Sequence, residues 1–156
     1  LGVMAGLPLV MSAAADLFGG VTTDWVTKRF GLRAGRCGVS SVCYLVASVL
    51  LIVGTATSHN ITAVILISLG LASSNFLLGA SWSACTDIAG NHAGVVGGCM
   101  NTAGQVGGFL SPIMAALFVE RYGSWSAPLY VCGGLYLLGA FCWWLVNPQQ
   151  PIEIET

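Results

Sequence analysis

The chain has 156 residues, of which 56% are hydrophobic and only 7% charged, with a formal net charge of −1. A water-soluble surface needs about a quarter of all residues charged, so a soluble globular domain is excluded. No basic cluster suited to nucleic acid is present, and nucleic acid is not an expected partner.

The charges are also unevenly placed. Segments 37–86, 88–119 and 122–152 contain no Asp, Glu, Lys or Arg. A hydrocarbon core of about 30 Å takes about 20 residues of helix. The expected fold is therefore all-α: a polytopic helical membrane protein with about five transmembrane helices in one unit, residues 1–147. In chain order the spans are 1–18, 37–56, 61–84, 94–118 and 126–146, with Thr55, Thr57, Ser58, His59 and Asn60 dividing the long first charge-free run. A barrel would need alternating segments of about ten residues, and the run Ala63-Val-Ile-Leu-Ile does not alternate. The chain enters apolar sequence at Leu1 with no signal-peptide pattern, so an upstream part is expected to be missing.

Loop charges orient the spans. Segment 19–36 holds Lys28, Arg29, Arg33 and Arg36, and the remaining basic residue is Arg121. Positive loops stay in the cytoplasm, so loop 19–36 and the C-terminus are expected there. Tail 148–156, with Pro148, Pro151, Glu153 and Glu155, is expected to be disordered. The six cysteines form no Cys-x-x-Cys pair and read as small buried hydrophobes. Neither a metal nor a cofactor is expected.

Within 19–36, Gly19 and Gly20 let a helix end approach a neighbour's backbone, and Gly31 and Gly35 permit a tight turn. Asp24 is placed to cap a helix or to pair with Arg33 or Arg36. The segment reads equally as a topogenic loop or as a structured motif.

Further along, Trp82, at the end of the third span, is either an aromatic anchor at the membrane interface or a ligand contact, with Ser81 beside it. Asn75 reads as a packing residue. Asp16 lies near an inner helix end, Asp87 is expected to cap the fourth helix, His92 to sit solvated at the interface, and His59 in an outer loop.

The fourth span is the most patterned. Gly94, Gly97, Gly98, Asn101, Gly104, Gln105, Gly108 and Pro112 recur at three- and four-residue steps and so gather on one face. Gly94-x3-Gly98 and Gly104-x3-Gly108 suit close helix packing. Unpaired amides are costly in lipid, so Asn101 and Gln105 must face protein or water. They serve either as interhelical hydrogen-bond donors or as substrate contacts.

Two stretches carry a resemblance. Gly20-x3-Asp24 followed by Lys28, Arg29, Gly31 and Arg33 resembles the loop signature of the major facilitator superfamily. The stretch from Trp82 through Asp87 and Asn101 to Pro112 resembles the tenth and eleventh spans of that superfamily's anion:cation symporter branch, which includes bacterial hexuronate and galactonate permeases. The resemblance implies spans eight to twelve, the C-terminal half of a secondary transporter in the inner (plasma) membrane. It implies an organic anion such as a sugar acid as substrate, a proton as coupling ion, and a separate N-terminal half-bundle carrying the coupling charges. It implies substrate contacts at Asn101, Trp82, Ser81 and Gln105, and a conformational role for Gly20, Asp24, Arg33 and Arg36. A non-transporting membrane scaffold is the alternative. An enzyme is not expected, because no His-Glu-x-x-His or Gly-x-Ser-x-Gly appears.

Overall fold

The computed structural model describes residues 2–150, with side chains described from residue 6 onward. Six α-helices make up nearly all of it: α1 (Gly2–Phe30), α2 (Val39–Ala56), α3 (Asn60–Phe76), α4 (Leu78–Ala89), α5 (Ala93–Tyr122) and α6 (Ser126–Leu145). A wide π-helical turn, Ala34–Gly38, leads into α2. Among the described residues, three helical runs are long and apolar enough to cross a membrane: Ala34–Ala56, Asn60–Tyr122 and Ser126–Leu145. The middle run contains α3, α4 and α5.

Small side chains fill the interior. Ala47, Ala80, Ser40 and Ser68 are fully buried, and Ser41, Ser48 and Ala84 nearly so. Large apolar residues such as Leu17, Phe141 and Trp144 point outward. This inversion suits lipid, where burying leucine gains little and close backbone approach gains dispersion and hydrogen bonds.

Helix α2 is the centre, packed by α3 on one side and α6 on the other. Its seam with α6 is held by three donors that climb the helix. Cys37 Sγ reaches the Val146 carbonyl at 3.4 Å, Ser41 Oγ the Ala140 carbonyl at 2.9 Å, and Ser48 Oγ the Gly133 carbonyl at 2.8 Å. The helices can come this close because a Cβ on Gly133 would lie 2.7 Å from Ile52 Cγ1, and one on Gly139 would lie 3.1 Å from Tyr44 Cε2. On the other side, Ser73 Oγ donates to the Cys43 carbonyl at 3.0 Å.

Several boundaries differ from those read in the sequence. Segment 19–30 is helix, not loop. Glycine costs a helix only about 1 kcal/mol per residue, and no proline interrupts it. At 29 residues, α1 is about 43 Å long, enough to carry Asp24, Lys28 and Arg29 past a hydrocarbon core. Gly31, with φ +93°, ends α1, and the chain re-enters helix at once. Gly35 is helical and does not turn the chain. Its bare Cα is needed because a Cβ there would collide with Thr27.

The expected third span is also divided, into α3 and α4 around Leu77. The break sits where the Phe76 carbonyl leans against Gly19, a position at which any Cβ would collide with it. Gly79 faces Gly20 just beyond, its own Cβ position 3.3 Å from Gly20 Cα. Gly19 and Gly20 therefore sit where α1 meets α3 and α4. After α6, Asn147–Gln150 forms a turn closed by Gln150 N–H to the Asn147 carbonyl at 3.4 Å, with Pro148 fully buried. Of the tail expected to be disordered, residues 151–156 lie outside the described residues.

The seam makes a sharp stability prediction. Gly133→Val should cost about 1–3 kcal/mol through overpacking, read as a lower unfolding temperature in detergent. Gly134→Ala, whose Cβ would meet nothing within 4 Å, should leave that temperature within a degree or two of the parent.

Candidate functional site

Two clusters emerge. The first is ionic. The last turns of α1 present Asp24, the glycine turn reverses the chain, and the π-helical turn swings Arg36 back. Arg36 Nη1 meets Asp24 Oδ1 at 3.1 Å, and Arg36 Nε meets Asp87 Oδ2 at 3.0 Å. One guanidinium thus ties the end of α1 and the start of α2 to the last turn of α4. The Arg36 side chain is 12% exposed, Asp87 27% and Asp24 62%, so the Asp87 arm is the less screened by solvent. Asp87 was expected to cap the fourth helix. It lies on α4 and binds Arg36 instead, and no side-chain capping bond is made at the start of α5. A short 3-10 turn, Gly90–His92, with Gly90 at φ +49°, makes that connection.

The four motif residues do not meet in one cluster. Gly20 lies against Gly79, and Asp24 pairs with Arg36. Arg33 points away from both acids and donates from Nη2 to the Trp144 carbonyl at 3.3 Å.

The second cluster is the patterned face of α5. This helix touches α4 and α6 lightly, and Gly97 is its one buried residue. Asn101 and Gln105 are exposed, and among the described residues neither amide meets a hydrogen-bond partner. Cβ atoms built at Gly94, Gly98, Gly104 and Gly108 would meet nothing within 4 Å, so any helix those glycines receive lies outside the described residues. Packing falls to the glycine between them. A Cβ on Gly97 would lie 3.0 Å from Trp82 Cζ3, and one turn along Cys85 Sγ lies 3.3 Å from Met100 Sδ.

Trp82 is 44% exposed, resting on Gly97 with the rest of its indole open. Gly97 and Asn101 are one helical turn apart on the same face, so Trp82 and Asn101 border one open strip, and Gln105 continues it a turn further. Ser81 is 8% exposed, and its hydroxyl donates to the Leu77 carbonyl at 3.1 Å. Its hydroxyl is thus spent inside its own helix. Asn75 bonds Ser12 Oγ across α1 and α3 at 3.0 Å and the Leu71 carbonyl at 3.0 Å.

Sequence reading missed the Arg36–Asp87 pair, which joins residues 51 positions apart. It also passed over the Gly97–Trp82 contact. Its one available signal was that Gly97 falls inside the Gly94–Gly98 pair and on the same face.

The architecture defines a multi-pass helical membrane protein with one helix left open along a polar, glycine-rich face. No family model matches the chain. Curated relatives do, across nearly all of it. It is 36% identical to the probable sulfoacetate transporter SauU of Cupriavidus necator, over 98% of this chain and 36% of that protein. It is 27% identical to the probable galactarate/D-glucarate transporter GarP of Escherichia coli, over 99% of this chain and 35% of that protein. It is also 27% identical to the chloroplastic ascorbate transporter of Arabidopsis thaliana, over 97% of this chain and 28% of that protein. The chain spans about a third of the length of these relatives. Over nearly its whole length the chain is thus similar to proteins named as transporters of small organic anions.

The ionic cluster predicts unequal arms. Asp24→Asn should change stability by no more than about 1 kcal/mol, as exposed ion pairs do. Asp87→Asn and Arg36→Gln should each cost more, and the double variant should cost less than their sum. Thermal unfolding of the parent and the four variants in detergent measures this.

Proposed function

We propose that this chain forms one wall of the substrate path in a secondary active transporter for a small organic anion. The relatives are named as transporters of organic anions. The open strip on α5 offers hydrogen-bond donors and acceptors that have no protein partner among the described residues. Trp82 flanks it, adding an indole N–H and a stacking face.

The strip carries amides and an indole but no cation, so its role is hydrogen bonding and shape. Charge compensation for the anion belongs to residues outside it. Asn101, Gln105 and Trp82 are the proposed contacts. Ser81, held inside α4, supports the position of Trp82. The glycines at 94, 98, 104 and 108 let a second helix or the solute come close to the α5 backbone.

In this reading the chain is the C-terminal half-bundle, working with an N-terminal half by alternating access around a midplane site. The Arg36 clasp, set on the cytoplasmic side, ties the last turn of α4 to the ends of α1 and α2. The driving ion is the proton and the membrane is the bacterial inner membrane, both taken from the family resemblance. The substrate is a sugar acid of the hexuronate or aldonate kind. Because the relatives' named substrates run from a two-carbon sulfonate to six-carbon diacids, sulfoacetate and galactarate are the first two compounds to test. Residues 1–156 reconstituted alone should show no uptake of either, and robust uptake by them would contradict the two-half reading.

The test of the strip uses the transporter that carries this chain. Cysteines at Asn101 and Gln105 should react with a membrane-impermeant thiol reagent and be protected by the transported anion. A cysteine at Val106, on another face of α5, should not be protected. Asn101→Ala should lower kcat/KM by about tenfold or more, the scale of a lost hydrogen bond to a charged ligand, at unchanged abundance. Unreactive cysteines at 101 and 105 with full uptake in Asn101→Ala would favour a scaffold, in which the glycine face only packs.

A further inference from the structure

The seam between α2 and α6 is closed on its inner side by three hydrogen bonds, but on its outer side it is a groove. Its upper part is a cleft of about 460 Å³ lined by Phe30, Arg33, Ala34, Cys37, Gly38 and Trp144. Its lower part is a cleft of about 350 Å³ lined by Ser41, Leu45, Leu137, Ala140, Phe141 and Trp144. Trp144 belongs to both. Ala34, Gly38, Ser41 and Leu45 follow one another at three- and four-residue steps and share a face of the α2 column. Leu137, Phe141 and Trp144 do the same on α6. The two clefts are therefore one trough, cationic at one end and apolar along the rest.

Its dimensions match one leaflet. From Ala34 to Leu45 the helical rise is about 16 Å, and half of a hydrocarbon core is about 15 Å. At the polar end, Arg33 gives one N–H to the Trp144 carbonyl and keeps its other donors. Phe30, which lines the same cleft, carries the Arg29 guanidinium over its ring, the guanidinium carbon 5.9 Å from the ring centre. Among the described residues both ion pairs belong to Arg36, so the positive charge of Arg29 and Arg33 is not spent on a carboxylate there. A tryptophan 69% exposed stands where the charge gives way to the apolar wall, the level that indoles take at a membrane interface.

We propose that this trough is a binding site for one anionic phospholipid, its phosphate at Arg33 and Arg29 and one acyl chain laid along Leu45, Leu137 and Phe141. The occupant must be negative at one end and apolar for a leaflet's depth, and a free anion or an acidic peptide satisfies only the first condition. The site is independent of the transport strip, which lies on α5.

Gly38 offers a test that leaves every charge in place. A Cβ there would meet nothing within 4 Å, and its backbone is helical at φ −64°, so Gly38→Leu folds and fills the mouth of the trough. The full chain, with Trp144 as its one tryptophan and the other four replaced by Phe, is reconstituted in phosphatidylcholine vesicles. Quenching by brominated phosphatidylglycerol is compared with quenching by brominated phosphatidylcholine. The anionic lipid should be preferred by about fivefold, the scale of one basic residue at an anionic surface, and less so at high salt. Arg33→Gln with Arg29→Gln, and separately Gly38→Leu, should bring the ratio close to one, while Arg33→Lys should keep most of it. Equal quenching by both lipids, or a preference that survives the double Gln variant, would overturn the site. So would displacement of the lipid by millimolar inorganic phosphate, or a preference that emerges only when Glu153→Gln and Glu155→Gln remove the acids of the tail.

Discussion

A helix in hydrocarbon cannot offer its spare carbonyl lone pairs to water, and here a neighbouring helix takes several of them. Ser41 and Ser48 each donate to a main-chain oxygen of α6 and Cys37 to that of Val146 at its end, and Ser73 does the same within the α2–α3 pair. Such bonds form only when two backbones lie close, and that is possible only where the facing residues are Gly, Ala or Ser. The buried positions are accordingly small ones. Geometry and chemistry select the same residues: the group that makes room also makes the bond. That double requirement fixes α2 between α3 and α6 and gives the remaining helices a frame to lean on.

Set against this frame, α5 is unusual. It is 30 residues long with a single buried position, and its carboxamides have no protein partner among the described residues. In a membrane such a face is stable only against something polar that the lipid cannot supply. The contrast between α2, saturated with contacts, and α5, almost without them, divides the bundle into a part that holds shape and a part that meets something else. Trp82 marks the border, since one edge of its ring packs and the other does not.

Much of this was legible before any coordinates. Charge-free runs of known length dictate helices. The steps joining Gly94 to Pro112 dictate one polar face, and the Gly20–Arg36 pattern brings acids and bases to one end. What escaped is instructive. Helix α1 runs on through Gly19 and Gly20 because those glycines are there for packing against Phe76 and Gly79, and helix propensity alone does not tell a packing glycine from a breaking one. The interruption at Leu77 has no proline to announce it and arises from a tertiary contact. Ser41 and Ser48 are seven residues apart, as are Gly133 and Ala140. Those two repeats of small residues were the readable trace of the α2–α6 seam, hidden among many other serines and glycines. The partner of Arg36 among the acids could not be ranked, because distance along the chain says nothing about which helix ends meet.

The interruption at Leu77 has a mechanical consequence. α3 is clamped to α2 through Ser73 and to α1 through Asn75, whereas α4 begins afresh with a fulcrum of glycine against glycine, Gly79 on Gly20. Trp82 and Asp87 both ride on this twelve-residue rod. A tilt of the rod that displaces the indole must displace the carboxylate as well. The open face of α5 and the guanidinium at the far end are thus geared to one lever, with no chain of intermediate contacts required.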